Sequence, residues 1–477
     1  MEIVLTKSDF LDYRHCAKSL WLKKRKPDAI QWPAPSLFDR MLMQDGYRVE
    51  EEVKKLVTGW GDGSSCEFQV DFQCPPNLYA RADMVRHVGD DEIDLFEIKG
   101  STSLRSSTGQ DHVDDAAFQT MVAERAGLRV RRICVIHVNK EYVRQGAVDP
   151  EQLLAIVDVT EDARGRLPQI EAEVDDAIEF LAQDAIDENG CSCRLIGSRD
   201  KHCASFQYFN ADVPESSIYL LPRISRKKLE TFLEEGRLSL ADIDASEVTN
   251  LQAAVLRAAQ SGSPVINRAS IATFLGELEW PIYFYDYETF ASAIPVADGL
   301  RPQGQMPVQY SLHRLTQEME LSHTEYLSLG PGMQRQLVEG LRRDIGDTGS
   351  LVSWNKKFEM ACNSAIGEMF PDLAEFLEEL NRRTVDLMDV FKEDYVDATF
   401  LGSTSIKKVL PVLCPDLKYD EDAVHDGAGA MAAWLSLIET ADEAERERIA
   451  GELRAYCHLD TLAMVEIYRF LSRIAQG

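Results

Sequence analysis

Pro281-Ile282-Tyr283-Phe284-Tyr285-Asp286-Tyr287-Glu288 is an apolar run of strand-forming residues that ends in two carboxylates. The period-two geometry of a strand puts Asp286 and Glu288 on one face. Two such carboxylates can bridge a pair of divalent ions roughly 4 Å apart, the arrangement for in-line attack of water on a phosphodiester. Far downstream, a helix expected from Glu443 to Ala475 carries Tyr456 and Asp460, spaced to share one helix face. Asp460 would complete the metal cage, and the Tyr456 hydroxyl would orient the attacking water. Between them, after the strand-like Ser350 to Trp354, comes Asn355-Lys356-Lys357-Phe358-Glu359. Asp386 and Asp389 offer further acids, and Lys407 in Ser405-Ile406-Lys407 is placed to contact phosphate; their first reading is structural or peripheral.

A second acidic constellation lies near the start of the chain. In Asp94-Leu95-Phe96-Glu97-Ile98-Lys99 the strand alternation projects Glu97 and Lys99 side by side and turns Phe96 and Ile98 the other way. With Asp83 from the preceding strand, two carboxylates can hold a hard divalent cation while Lys99 polarises water or steadies the phosphate. Gln119, on the helix that follows, would sit near the same pocket. Taken alone, a Glu-x-Lys strand end is an ordinary surface pair; order and context give it weight.

The bulk composition narrows the function classes. At 477 residues and 45% hydrophobic, the chain has apolar material for two or three cores and is not intrinsically disordered. Met1 to Phe10 contains Lys7 and Asp9 and no long apolar run, and no stretch approaches the ~20 apolar residues of a membrane span, so a cytoplasmic protein without membrane partners is expected. The formal charge of −29 opposes non-specific binding to nucleic acid over the whole surface, so any such contact must be local. One candidate is Tyr13 to Pro27, where Arg14, Lys18, Lys23 and Lys24 interleave with Tyr13 and Trp21; a solvated helix face reads equally well.

Ten cysteines in a reducing compartment point to metal binding or plain burial rather than disulfides. Cys191, Cys193 and Cys203 cluster in one loop, and Cys16 lies in the first expected helix. Three clustered thiolates and one distant one close a four-coordinate site for zinc or an iron-sulfur cluster. The remaining, scattered cysteines read as small buried hydrophobes.

Along the chain the pattern is α/β. A helix is expected from Ser8 and another from Asp45 to Val57, then strands Glu67 to Phe72, Tyr79 to His87 and Glu92 to Ile98. A polar loop from Gly100 to Asp114, a helix from Asp115 to Ala126, the strand Arg132 to Val138 and an acidic helix from Ile170 to Ala185 follow. Three regions result: 1–210 with the first constellation and the cysteines, a helical connector 211–275, and 276–477 with the second constellation.

These motifs carry two resemblances. Asp83, Glu97-Ile98-Lys99 and Gln119 resemble the PD-(D/E)xK nucleases of the RecB type, including the iron-sulfur members in which four cysteines staple the domain around a 4Fe-4S cluster. That likeness implies a metal role for Glu50, where Gly46-x-x-x-Glu50 matches a Gly-x-x-x-His motif, and favours the cluster over zinc. The Asp286-x-Glu288 strand, the Asn355 to Glu359 segment and Tyr456-x-x-x-Asp460 resemble the DEDDy branch of RNase H-like exonucleases, which implies Glu359 as a fourth metal ligand. The chain as a whole looks like an uncharacterised bacterial family that fuses the two. The resemblance implies a nuclease using magnesium or manganese on nucleic acid, DNA foremost, in repair, recombination or defence. The alternative is a scaffold that binds nucleic acid or protein through two inactive nuclease folds.

Overall fold

The computed structural model describes residues 3–60, 65–75, 77–89, 91–107, 110–419 and 423–476; residues 108 and 109 of the expected polar loop lie outside them. Chain contacts divide the protein into two compact units, one of residues 1–35, 39–213 and 292–304, the other of residues 36–38, 214–291 and 305–477.

The first unit opens with α1, Lys7–Arg25, capped by Thr6 rather than Ser8. The Thr6 hydroxyl accepts from the Asp9 amide and the Asp9 carboxylate accepts from the Thr6 amide, a reciprocal cap that satisfies two otherwise orphaned donors. Then come α2 (Leu37–Thr58), β1 (Cys66–Cys74), β2 (Leu78–His87) and β3 (Glu92–Lys99). Next are α3 (His112–Arg125), β4 (Arg129–Val138), the unforeseen β5 (Leu154–Asp158) and α4 (Thr160–Ala182). The sheet runs in the order β1-β2-β3-β4-β5, with only the β3 and β4 pair parallel. α3 contributes Phe118 and Met121, and α4 contributes Ile170 and Val174, to a core that includes Leu95 and Ile133 of the sheet. Residues 292–304 belong here because Asp45 accepts from the Ala293 amide at 2.7 Å and the Ala293 side chain packs with Val49.

In the second unit, α5 (Arg226–Glu234), α6 (Asn250–Ser261) and α7 (Arg268–Gly276) precede β6 (Ile282–Phe290). Ile271 of α7 joins a core with Phe284, so this stretch is packed structure rather than a free linker. β7 (Met306–Leu315) and β8 (Leu321–Leu327) form a hairpin, followed by α8 (Gln334–Asp344), β9 (Leu351–Ser353), α9 (Lys357–Met369), α10 (Ala374–Arg383) and β10 (Thr384–Asp386). α11 (Ile406–Leu413), α12 (Gly427–Glu439) and the 34-residue α13 (Glu443–Gln476) complete the unit.

The second sheet is β8-β7-β6-β9-β10, antiparallel through β6 and parallel beyond it. Alternation along β6 sorts its residues: Tyr283, Tyr285 and Tyr287 pack with α8 and α10, whereas Phe284 packs with Met464 and Leu471 of α13. Asp286 and Glu288 therefore share the face that α13 covers. Gly349, at φ +97°, allows the chain entering β9 to approach the Pro281 carbonyl, where a Cβ would lie 2.0 Å from the oxygen.

Among the described residues no helix is long and apolar enough to cross a membrane.

Candidate functional site

The end of β6, the start of α9 and the middle of α13 meet around a cavity of about 700 Å³ lined by Asp286, Glu288, Glu359, Tyr456, Asp460 and Lys407, among others. Asn355, in the left-handed region at φ 69°, turns the chain out of β9 into α9; its amide donates to Asp386 at 3.0 Å. That turn sets Glu359 within the first turn of α9, with its side chain buried. Asp386 is spent on this turn, accepting also from the Met388 amide, and Asp389 pairs with Lys392.

The electrostatics of this cavity are one-sided. Glu288, Glu359 and Asp460 are buried, and none of the four carboxylates forms an ion pair among the described residues. Loss of water, followed by repulsion from Asp460 and its neighbours, raises Asp286 and Glu288 well above the carboxylate range. Burial pushes Glu359 up to about 8. Burial raises Asp460 to about 6 against the Tyr419 hydroxyl and Lys407, which favour its charged form. One oxygen of Glu359 is buried with no partner. Buried carboxylates so arranged are stabilised by a shared proton or by a cation, and hard oxygen donors suit magnesium or manganese.

Sequence reasoning missed Tyr419. Its hydroxyl donates to Asp460 at 2.5 Å, from a loop that no motif marks. The Lys407 ammonium lies 5.7 Å from the Tyr419 ring centre and 5.3 Å from that of Tyr456, on the cavity wall.

The first constellation is built differently. β2 and β3 bring Asp83 beside Glu97, and Asp83 accepts from the Ile98 amide at 2.8 Å. The Glu97 carboxylate is already occupied: Lys7 reaches one oxygen at 2.8 Å and Lys99 the same oxygen at 2.7 Å, and the Gln119 amide donates to the other. Lys99 also pairs with Asp115 at 2.6 Å. Burial disfavours the Glu97 charge, yet the two lysines outweigh it and hold the group down to about 2. Asp83, desolvated and repelled by Glu97, is pushed up to about 7. Glu50 is drawn elsewhere, to Lys54 at 2.9 Å and to Gln69. Lys7, which the sequence reading passed over, brings a second ammonium to Glu97.

The cations expected to meet nucleic acid on α1 are paired with acids of the first unit. Arg14 pairs with Asp114 and Glu173, Lys18 with Asp187, Lys23 with Asp12 and Lys24 with Asp9. Trp21 is fully buried and donates to the Gln183 carbonyl at 2.8 Å, so its ring is core and not a stacking platform. The charges answer acids of α1 itself (Asp9, Asp12), of α3 (Asp114), of α4 (Glu173) and of the loop after α4 (Asp187).

The four cysteines converge. Cys16 leaves helical geometry at φ −156°, ψ 97°, a kink within α1. Cys191, Cys193 and Cys203 come from the loop after α4, and all four ligand sulfurs are buried and lie within 4.8 Å of one another. The Asn210 amide donates to the Cys191 sulfur at 3.3 Å, and the Ser205 hydroxyl lies 3.6 Å from the Cys203 sulfur. This set could bind a metal.

Against known proteins, residues 283–405 match the model of a family described as a domain of unknown function, DUF2779. The matched stretch holds Asp286, Glu288, Glu359 and the whole hairpin. An uncharacterized protein of Mycoplasma pneumoniae is 26% identical over 217 residues, which are 39% of this chain and 32% of that protein. The chain thus spans about a third of the length of the curated relative it matches. Neither description names an activity.

Proposed function

We propose that this protein is a metal-dependent nuclease that hydrolyses phosphodiester bonds of nucleic acid, DNA foremost, in the second unit. The observation that carries the reading is the set of four carboxylates, Asp286, Glu288, Glu359 and Asp460, around one cavity with no ion-pair partner among the described residues. The three antiparallel strands continued by a parallel pair support the RNase H-like reading of this unit. Asp286, Glu288 and Asp460 would hold magnesium or manganese, with Glu359 as the fourth acid. The bound ions would supply an ionised water at neutral pH and positive charge to offset the phosphate. Tyr419 fixes the orientation of Asp460 through its hydroxyl. Tyr456 lies where it can align the water, and Lys407 where it can reach a non-bridging phosphate oxygen. The cavity is of a size to take a nucleotide.

The first unit supports a different role for its nuclease-like residues. Lys7 and Lys99 already neutralise Glu97, so a divalent ion at Asp83 and Glu97 would have to displace a buried ammonium. This favours the scaffold reading for the PD-(D/E)xK-like part alone, with the cysteine site as its staple. At that site, four thiolates on a single tetrahedral zinc stand about 3.8 Å apart, from Zn–S bonds of about 2.3 Å. Thiolates on the corners of an iron-sulfur cube lie farther apart, because the irons separate them. The 4.0 Å between the Cys191 and Cys203 sulfurs therefore supports zinc over the cluster.

The test is cleavage of end-labelled single- and double-stranded DNA and RNA with manganese or magnesium. Asp286→Asn abolishes it and Lys99→Met leaves it intact. Loss in Lys99→Met with retention in Asp286→Asn would move the activity to the first unit.

A further inference from the structure

Three histidines outside the acidic cavity face one another in the second unit. His313 on β7 and His323 on β8 are direct cross-strand partners, and His458 comes from α13. Ring centres are 4.5 Å apart for His313 and His323, 4.8 Å for His313 and His458, and 4.3 Å for His323 and His458. One ring nitrogen from each lies within 4.8 Å of the other two. His313 is 2% exposed and the other two are half-buried.

The surrounding hydroxyls fix which nitrogens are offered. The Thr461 hydroxyl reaches the His458 carbonyl at 3.1 Å and the Cys457 carbonyl at 3.4 Å. A carbonyl only accepts; when Thr461 gives its one proton to these carbonyls, its oxygen accepts from its other neighbours. Those neighbours are His313 Nδ1 at 2.8 Å and the Ser311 hydroxyl at 2.7 Å. Ser311, having donated to Thr461, accepts from His323 Nε2 at 2.9 Å. This chain places protons on His313 Nδ1 and His323 Nε2. It leaves lone pairs on His313 Nε2 and His323 Nδ1. Neutral imidazoles with the outer nitrogen held by a hydrogen bond are the form in which histidine ligates metals.

We propose that His313, His323 and His458 bind one divalent transition-metal ion of the zinc class, with the fourth position taken by water. Three imidazoles suit zinc, cobalt or nickel rather than magnesium. The site ties the edge strand β8 to β7 and to α13, the helix that carries Tyr456 and Asp460. It stands apart from the nuclease reading, since none of the three histidines lines the acidic cavity.

The full chain, stripped with a chelator and reloaded with zinc, is compared with His323→Asn and His458→Gln by metal analysis and thermal melting. Each variant is expected to hold one zinc fewer per chain than wild type and to lose the part of the zinc-induced rise in Tm that Cys191→Ser, whose defect lies in the other unit, retains. Equal zinc content and equal Tm response in wild type and both variants would overturn the proposal. A measurement on the unaltered chain covers the case in which a variant misfolds. Zinc should move the imidazole nitrogen resonances of these three histidines, with His313 bound through Nε2 and His323 through Nδ1. Unmoved resonances at saturating zinc would overturn it equally.

Discussion

The Lys7 ammonium lies 2.8 Å from the Glu97 carboxylate, in a pocket that also holds Asp83, Lys99 and Asp115. Lys7→Met leaves Glu97 with Lys99 and Gln119 and is expected to cost about 1–3 kcal/mol at pH 7, less than breaking a buried pair outright. Urea unfolding measures it. Glu97 is held below its unfolded value, so its contribution is fully present above about pH 4.5 and fades as pH falls through about 2. Cleavage by the second unit should be unchanged in this variant.

The opposite sign applies to the acidic cavity. Asp460 at about 6 and Glu359 at about 8 bind protons more tightly folded than unfolded. Their contribution is present below about pH 4 and is lost as pH rises through 6 to 8. Metal-free protein should therefore lose stability over that window, on the order of 3 kcal/mol from the roughly two-unit shift of Asp460 and more from the larger shift of Glu359. Saturating manganese should flatten the slope, because it binds the ionised carboxylates. Melting curves at pH 5 and pH 8.5, with and without manganese, check both statements.

Tyr419 supports Asp460 from outside the proposed metal-binding set. Tyr419→Phe keeps the ring and removes one hydrogen bond, so cleavage should fall roughly 10- to 100-fold, the usual effect of losing an outer partner of a metal ligand. The loss should shrink as manganese is raised if the defect lies in metal affinity. Titration of activity against manganese in wild type and variant decides it.

Cys191→Ser removes one of four converging sulfurs. Metal content should fall by one ion per chain, and the first unit should lose at least about 4 kcal/mol, the stabilisation given by a ligand at a thousand times its Kd. Trp21, buried between α1 and the loop after α4, reports this unfolding by fluorescence. Absence of a visible absorption band in the wild type, prepared without oxygen, would fit zinc; a broad brown band would establish the cluster instead.

Much of this site is readable in the chain because strand alternation and helical spacing are local. Asp286 with Glu288, and Tyr456 with Asp460, each share a face for reasons that lie within a few residues. The cysteine set was legible for a similar reason, since three of its members sit in one loop. The hairpin Met306 to Leu327 escaped notice because β7 is buried on nearly every residue and shows no alternation, while the edge strand β8 is largely exposed and polar. Lys7, Tyr419 and the three histidines are brought into place by tertiary packing alone. The ion pairs of Arg14 and Lys18 were not legible in the basic run because their acids, Glu173 and Asp187 among them, lie far along the sequence.

The most direct test of the central claim is the rate of cleavage of an end-labelled DNA strand in manganese by wild type, Asp286→Asn and Lys99→Met, each shown to be folded. The account predicts wild-type rates in Lys99→Met and loss by roughly a hundredfold or more in Asp286→Asn, whose carboxylate lies among the metal-holding set. Equal cleavage in wild type and Asp286→Asn would contradict it.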